Sequence, residues 1–110
     1  NLSKLENLIE LCDLENVVKQ KKGMKISEDG KVISGGEKQR IGIARALYND
    51  REILILDEAT NALDNKTEEK IIRNIINYKK NMTLICVSHN SELKKLFGRS
   101  LSVSNQGINE

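Results

Sequence analysis

Acidic and imidazole side chains directly follow two short apolar segments, and these residues are the best suited in the chain to carry out chemistry. Asp57 and Glu58 end the aliphatic run at positions 53–56, and His89 comes shortly after a second apolar segment at positions 82–87. Ligands of open parallel sheets bind at the carboxyl ends of the strands, so we expect the three side chains to converge at one edge. One carboxylate can hold Mg²⁺ through water and the other can polarise an attacking water, which suits the hydrolysis of a phosphate ester. A capping aspartate and a packed or solvent-facing histidine would explain the same residues without catalysis.

A second candidate site precedes a predicted helix and consists of Ser34, Gly35, Gly36 and Glu37. Glycines let the backbone approach a phosphate closely, and the start of a helix offers unpaired amides with a partial positive charge. The same four residues also match a capping box, in which the serine and the glutamate satisfy amides at the helix start. A flexible turn before a capped helix therefore remains an alternative to an anion site.

Hydrophobic periodicity predicts the helices of the first half. A capping box at Ser3 and Glu6 predicts the start of a first helix, and a second short helix follows it. Residues 23–32 have the composition of a loop, and the helix that follows Ser34 should extend to about Tyr48. The apolar residues that support the first two helices are Leu5, Leu8, Ile9 and Cys12 in one, and Leu14, Val17 and Val18 in the other.

The second half alternates between strand and helix patterns. Residues 52–57 and 82–87 are apolar enough to be strands that are buried on both faces of a parallel sheet. A helix between them should be capped by Asn65, with Glu68 at its third position and a buried stripe of isoleucines at positions 71, 72, 75 and 76. A short helix at 91–97 and an edge strand at 100–104 would complete the order. This alternation predicts an α/β fold with a parallel layer.

Composition limits the functions that the chain can have. The 110 residues contain 18 Lys and Arg against 16 Asp and Glu, and a net charge of +2 does not indicate a nucleic-acid partner. The longest aliphatic run, at positions 53–56, is far shorter than the roughly 20 residues that span a bilayer. Cys12 and Cys86 lack metal-ligand spacing and lie in apolar patterns, so we expect buried free thiols, as in proteins of a reducing compartment.

The motifs occur in an order that resembles the nucleotide-binding domain of ATP-binding-cassette (ABC) transporters, particularly the exporter type. They are ISGGEKQRI at 33–41, IARAL at 43–47, ILILDEAT at 53–60, NALD at 61–64 and VSH at 87–89. The resemblance implies a partial P-loop NTPase fold. A helical segment at 1–49 would carry the signature motif, and a parallel βαβαβ core at 50–110 would carry the Walker B strand and the switch histidine.

The resemblance also implies which residues contact ATP and Mg²⁺. Ser34, Gly35 and Gly36, with Glu37, are similar to the signature motif, which binds the γ-phosphate of an ATP held by the opposite subunit. The motif usually ends in glutamine, and a carboxylate facing phosphate is costly unless it points away. Ser34 and the two glycines are therefore stronger candidate contacts than Glu37. Asp57 resembles the Walker B aspartate on the Mg²⁺ side.

Three further residues resemble those that act on the reaction itself. Glu58 is similar to the catalytic glutamate that orients water, and His89 to the switch histidine that contacts the γ-phosphate. Asp64 is similar to the D-loop aspartate that links the two sites of a dimer. The family's D-loop usually has serine where Asn61 stands, which is a mild polar exchange.

The chain lacks the Gly-x-x-x-x-Gly-Lys-Ser/Thr pattern of a P-loop. We therefore expect it to be the C-terminal part of a nucleotide-binding domain that is inactive toward ATP by itself. The resemblance implies two partners, a second nucleotide-binding domain in a head-to-tail dimer and the transmembrane domains of the transporter, with no nucleic acid. It places the domain at the cytoplasmic side of the cell (inner) membrane, either peripherally or as part of a membrane protein.

Two other functions fit parts of the sequence. The C-terminal ATPase lobe of SMC-type chromosome or DNA-repair proteins often has a signature beginning Ser-Gly-Gly-Glu-Lys, as at positions 34–38, and is also separated from its P-loop. Sustained coiled-coil heptads, which would accompany such a lobe, are missing from the N-terminal residues. A non-catalytic interaction module on the same scaffold is the third hypothesis, and the intact Asp57, Glu58 and His89 argue against it.

Overall fold

The computed structural model describes residues 1–20 and 33–110, so the predicted loop at 23–32 lies outside the described residues. The helices are α1 (Leu2–Leu11), α2 (Glu15–Gln20), α3 (Gly35–Tyr48), α4 (Asn65–Tyr78) and a 3₁₀ helix (Ser91–Leu96). The strands are β1 (Ile53–Asp57), β2 (Thr83–Val87), β3 (Ser102–Ser104) and β4 (Gly107–Asn109). Strands and helices alternate from β1 to β3, as the sequence predicts, and a further strand follows.

The strands β1 and β2 pair in parallel, which confirms the predicted parallel α/β unit. Their register runs from Ile53 opposite Thr83 to Asp57 opposite Val87. A parallel pair needs a long crossover connection, and the 14-residue helix α4 supplies it. The two strands therefore end level with each other, and the residues that follow them emerge at the same edge of the sheet.

The predicted third parallel strand is wrong. Residues 102–104 form β3, which pairs antiparallel with β4 in a separate two-stranded sheet. Asn105 and Gln106 make a two-residue connection between them, and Gly107 adopts a positive φ of 120° that a glycine tolerates without strain. The backbone of residues 102–104 thus pairs within a local hairpin and not with the parallel sheet. The parallel core of the described residues is βαβ and not βαβαβ.

Only one face of the parallel sheet is covered in the part of the chain that the structure describes. Leu54 and Leu56 point into the core, whereas Ile53 and Ile55 are 58% and 62% exposed. The prediction that this strand is buried on both faces is wrong for the described residues, because the helices pack on one side of the two strands. Apolar composition shows that both faces suit burial, but it does not show what covers them.

The core joins helices from the first half to the sheet of the second half. Helix α1 packs against α3 and α4, and α4 contacts the 3₁₀ helix. The predicted isoleucine stripe of α4 is confirmed at Ile71, Ile72 and Ile75, which are fully buried, while Ile76 is half-buried. The other buried members of the cluster are Leu8, Cys12, Leu14, Val17, Ile43, Leu47, Leu54, Leu56 and Leu93.

The helix caps differ from two of the predictions by one or two residues. Asn1 caps α1 by accepting from the amides of Ser3 and Lys4 at 3.0 and 3.4 Å, so Ser3 lies inside the helix and does not cap it. Asp64 caps α4 in place of the predicted Asn65. Asparagine, aspartate and serine are all good caps, and where two are close together the sequence pattern does not choose between them. At α3 the predicted cap, Ser34, is confirmed.

An acidic residue in the turn after α1 ties the helices together. Asp13 has a φ of 58°, a left-handed conformation that aspartate adopts more readily than most residues. Its carboxylate lies 3.6 Å from the guanidinium of Arg40 on α3 and 3.6 Å from the ammonium of Lys70 on α4. The turn is thereby held against both α3 and α4.

Both cysteines are free thiols, as expected, but their environments differ. Cys12 is fully buried in the core, and burial raises the pKa of its thiol to about 12, against a smaller lowering by the positive charge of Arg40. Cys86 on β2 is half-buried, and its pKa is raised by burial and then by the negative charge of Glu68. Because the thiolate is the reactive form, both thiols should be less reactive in the folded chain than in the unfolded chain.

We predict that Cys12 resists a thiol reagent such as Ellman's reagent at pH 8 until the chain unfolds, and that Cys86 reacts first. The measurement is the rate of reaction of each single-cysteine variant, Cys86→Ser and Cys12→Ser, with and without urea. Urea should accelerate the labelling of Cys12 more than that of Cys86. Equal labelling rates for Cys12 in the native and denatured chains would contradict its placement in the core.

Candidate functional site

The backbone turns sharply at Glu58, immediately after β1. The Glu58 amide donates to the carbonyl of Val87 at 2.9 Å, which extends the pairing of β1 and β2 by one residue. Glu58 itself has a φ of 54°. A left-handed conformation at a residue other than glycine costs on the order of 1–3 kcal/mol and persists where surrounding contacts impose it, often at functional sites. Glu58, which has this strained backbone, is one of the residues that the sequence predicts to be catalytic.

The structure brings Glu58 and His89 into contact, as expected from their positions after neighbouring parallel strands. Nε2 of His89 lies 2.7 Å from Oε1 of Glu58. An ionised carboxylate only accepts hydrogen bonds, so Nε2 of His89 is the donor when Glu58 is charged. The His89 side chain is 91% exposed and that of Glu58 is 43% exposed, so solvent makes this contact energetically weak. Its consequence is geometric, because it orients both groups toward the same space.

Asp57 completes the edge that the sequence predicts. It is the last residue of β1, is exposed, and lies opposite Val87 in the register. Within residues 1–20 and 33–110, no group of three or more His, Cys, Asp or Glu side chains is arranged to hold a metal ion. Asp57 could therefore contribute a single carboxylate to a cation, as Mg²⁺ sites do when water and substrate phosphates supply the remaining ligands.

The N-terminus of α3 has the form of an anion site. Ser34 Oγ accepts from the Glu37 amide at 3.1 Å, and the Lys38 amide donates to the Ser34 carbonyl at 3.0 Å. The first amides of a helix have no acceptor within the helix, which leaves those of Gly35 and Gly36 without an intrahelical partner. Their partial positive charge is suited to an anion such as phosphate.

Gly36 also allows α3 to approach the turn that follows β1. A Cβ added at Gly36 would lie 3.1 Å from Cδ2 of Leu63 and 3.4 Å from the carbonyl oxygen of Ala62. Both distances are tight for a methyl group, so a side chain here would push the helix and the turn apart. The sequence predicts a glycine for contact with phosphate, and the structure adds a packing reason for Gly36.

Gln39 connects the two candidate sites, and sequence reasoning assigned it no role. Its Nε2 donates to Oδ1 of Asn61 and, at 3.4 Å, to the carbonyl of Glu58, while its Oε1 accepts from the Ala62 amide at 2.9 Å. One side chain of α3 thus holds the turn that contains the strained Glu58. Helical spacing was the sequence feature that could have indicated this contact, because Gly36 and Gln39 are three residues apart and face the same side of α3.

The side chain of Glu37 has one buried carboxylate oxygen, Oε2, which has no hydrogen-bond partner among the described residues. That this carboxylate points away from a phosphate stays a prediction.

Asp64 anchors the end of the turn by capping α4. Its Oδ1 accepts from the Thr67 amide at 2.8 Å, and its Oδ2 accepts from the Thr67 hydroxyl at 3.0 Å. These bonds, the backbone bond first, hold the pKa of the Asp64 carboxyl below its usual value. The carboxylate charge is also suited to the positive end of the helix dipole. In the described residues Asp64 therefore fixes where the turn ends and α4 begins.

Comparison with protein families identifies the class to which this fold and site belong. The sequence profile of the ABC transporter family matches residues 2–61, which is more than half of the chain. The chain therefore belongs to the ABC transporter family. This confirms the resemblance that the motif order predicts and the expectation of a P-loop NTPase type of α/β fold.

Individual relatives support the same assignment. The chain is 46% identical over 85 residues to the ATP-dependent lipid A-core flippase of Wigglesworthia glossinidia brevipalpis, covering 74% of this chain and 15% of the relative. It is 40% identical over 80 residues to the glutathione/L-cysteine transport system ATP-binding/permease protein CydC of Haemophilus influenzae (73% and 14%). It is 44% identical over 77 residues to the methionine import ATP-binding protein MetN 1 of Oenococcus oeni (68% and 22%).

These comparisons favour the transporter prediction over the chromosome-ATPase alternative. The three relatives carry names of ATP-dependent or ATP-binding transport proteins. The chain spans between 14% and 22% of their length. In the part of the chain that the structure describes, no helix has the length and hydropathy needed to cross a membrane.

We predict that the Asp64 cap stabilises the chain at neutral pH and loses this effect in acid. Because the folded-state pKa is lowered, the stabilisation is present above the unfolded-state pKa of about 3.9 and disappears as the pH falls through the folded-state pKa. Urea unfolding should show Asp64→Ala to be less stable than the wild type at pH 7, with a difference that shrinks below about pH 4. Asp64→Asn, which retains an accepting oxygen, should show a smaller loss at pH 7. A wild-type advantage over Asp64→Ala that does not change with pH would contradict the assignment.

Proposed function

We propose that this chain is part of an ABC transporter ATPase whose hydrolysis of ATP drives transport across a membrane, with export favoured by the exporter-type motifs. The observation that carries the proposal is the contact between His89 and Glu58 at the carboxyl edge of the parallel strands. It places a carboxylate and an imidazole at the position where open α/β sheets bind ligands. The named relatives differ in cargo, and they share ATP-driven or ATP-binding transport.

The residues at this edge fit a magnesium nucleotide. Asp57 is an exposed carboxylate at the end of β1, beside Glu58. Mg²⁺ commonly binds one or two carboxylates and keeps several waters, so Asp57 would hold the ion through water and need no closed protein cage. The bound ion would neutralise negative charge on the terminal phosphates of ATP.

Glu58 and His89 would act on the attacking water and the γ-phosphate. The Glu58 carboxylate can accept a hydrogen bond from a water and thereby orient it for attack. His89 holds that carboxylate through Nε2, and its exposed ring can turn toward a phosphate oxygen as a donor. The left-handed backbone at Glu58 breaks the extended conformation of β1 at the residue whose side chain meets His89.

The signature segment would serve a nucleotide held by a second domain. Ser34 and the free amides of Gly35 and Gly36 would bind the γ-phosphate from the opposite side of a head-to-tail dimer. Asp64, at the end of the adjoining turn, would link this contact to the hydrolytic edge through the dimer interface. The hydrogen bonds of Gln39 support this coupling, because they join the signature helix to the backbone of Glu58 and Ala62.

The exposed face of the parallel sheet supports a larger ATPase domain. Parallel sheets are normally covered on both faces, and Ile53, Ile55, Ile85 and Val87 remain uncovered by the described residues. In the proposed domain, residues 1–49 would be the helical, signature-bearing part and residues 50–110 the ATPase core. The domain would lie at the cytoplasmic side of the membrane, in contact with the transmembrane domains of its transporter.

We expect Glu58→Gln to abolish ATP turnover in the full-length protein that carries this sequence while preserving ATP binding. Glutamine keeps the shape of the side chain but removes the charged acceptor for water, and loss of such a group lowers turnover by about 10²-fold or more. Steady-state phosphate release and nucleotide binding are the measurements. Glu52→Gln removes an exposed acid outside the site and serves as the matched control. Unchanged hydrolysis by Glu58→Gln would contradict the proposal and favour a non-catalytic interaction module.

We also expect the 110-residue chain by itself not to bind Mg-ATP measurably. It contains the signature, Walker B and histidine motifs but has no P-loop pattern to hold the β- and γ-phosphates. Isothermal titration calorimetry with Mg-ATP should therefore give no binding heat. Micromolar affinity would show that these residues hold the nucleotide without a P-loop.

A further inference from the structure

A buried carboxylate connects the two loops that carry Glu58 and His89. Glu68, in the first turn of α4, is only 4% exposed. Its Oε2 accepts from the hydroxyl of Thr60 at 2.5 Å, and its Oε1 accepts from Nδ2 of Asn90 at 2.5 Å. Thr60 is two residues after Glu58, and Asn90 is the residue directly after His89.

Packing alone does not account for a carboxylate at this position. Removing a carboxylate from water is costly unless hydrogen bonds replace its hydration, and hydrogen bonds to an ionised acceptor are roughly twice as strong as neutral ones. The neighbouring buried positions of α4 at 71, 72 and 75 are filled by isoleucine. Glu68 therefore differs from the core residues around it in having two directed contacts, one to each loop.

Both partners of Glu68 are themselves held firmly. Thr60 is 2% exposed, so its hydroxyl has little access to water. The Asn90 amide nitrogen of the backbone donates to Oγ of Ser88 at 3.0 Å, and its side-chain Oδ1 accepts from the Glu92 amide at 3.1 Å. Because Glu68 bonds to Thr60 in one loop and to Asn90 in the other, its position consequently determines the distance between the two loops.

The contact between Glu58 and His89 does not hold the loops by itself. Both side chains are substantially exposed, and exposed ion pairs contribute little net energy. The bond from Thr60 to Glu68 is buried and the bond from Asn90 to Glu68 is partly buried, so both are better shielded from solvent than the exposed contact, and hydrogen bonds are stronger where water is excluded. This better-shielded pair of bonds therefore sets the geometry that the exposed contact uses.

We propose that Glu68 is a positioning residue that keeps the Glu58 loop and the His89 loop at the separation needed for hydrolysis. The inference rests on the proposed function, because it assumes that Glu58 and His89 act in turnover. It assigns to Glu68 no contact with nucleotide or water. The effect of its removal should therefore fall on the rate of the chemical step and not on nucleotide binding.

The first test compares kcat and KM for ATP in the full-length protein that carries this sequence. Glu68→Ala should lower kcat by about 10- to 100-fold with KM unchanged, because misplacement of reacting groups by about 1 Å is enough for a loss of this size. Glu68→Gln retains an accepting oxygen and a group that can donate to the Thr60 hydroxyl, so it should restore most of the rate. Glu69→Gln is the matched control, since the adjacent Glu69 forms its ion pairs with Arg73 on α4 and Lys95 on the 3₁₀ helix.

A second set of variants removes the two hydrogen bonds of Glu68 one at a time. It keeps the result interpretable if Glu68→Ala folds poorly. Thr60→Val removes the hydroxyl at nearly constant volume, and Asn90→Ala removes the amide. Each should lower kcat, and neither should add its full effect to that of Glu68→Ala, because residues of one network are not additive. A wild-type kcat in Glu68→Ala, or in both Thr60→Val and Asn90→Ala, would overturn the proposal. An effect of these variants confined to KM or to the melting temperature would overturn it as well.

Glu58→Gln, measured in parallel, separates the two proposals. If it abolishes turnover while the Glu68, Thr60 and Asn90 variants keep the wild-type kcat, only the positioning role of Glu68 is overturned. If Glu58→Gln hydrolyses ATP normally, the proposed function fails and the positioning role fails with it. If Glu58→Gln and the variants of Glu68, Thr60 and Asn90 all lose turnover, and Glu68→Gln restores it, the proposed function and the positioning role of Glu68 are both supported.

Discussion

The in-register parallel pairing of β1 with β2 is the constraint on which the site depends. It sets Asp57 opposite Val87, and the Glu58 amide continues the pairing by bonding to the Val87 carbonyl. The residues that leave the two strands consequently start from the same level, and His89 reaches Glu58. A shift of one residue would turn each side chain of a strand to the opposite face and separate these groups. The buried Leu54 and Leu56 oppose such a shift because it would expose them.

Polar side chains of the flanking helices then fix the loops that the strands leave free. Gln39 of α3 bonds to the turn after β1, and Glu68 of α4 bonds to that turn and to the loop after β2. Loops lack the repeating backbone bonds of helices and strands, so their backbone and side-chain groups need such partners to hold one conformation. The strained backbone at Glu58 is compatible with a stable fold because these contacts surround it.

The two candidate sites that the family motifs indicate lie next to each other in the structure. The signature segment at the start of α3 and the acidic edge at the end of β1 are joined through one short turn at 58–64. Gln39 and the close packing of Gly36 on Leu63 hold α3 against this turn. Under the proposed function, this connection would couple a nucleotide held by a second domain to the position of the Glu58 carboxylate.

The sequence by itself determined the family, the order of the elements as far as the 3₁₀ helix and the edge at which Asp57, Glu58 and His89 lie, because motif order and hydrophobic periodicity are local properties of the chain. It did not determine the capping residues Asn1 and Asp64 or the hairpin of β3 and β4, since several local solutions had similar chemistry. Only the tertiary structure showed the sheet face that the described residues leave exposed and the loop contacts of Gln39 and Glu68. Those features depend on contacts between residues that are distant in sequence, and no local pattern specifies which polar side chain meets which loop.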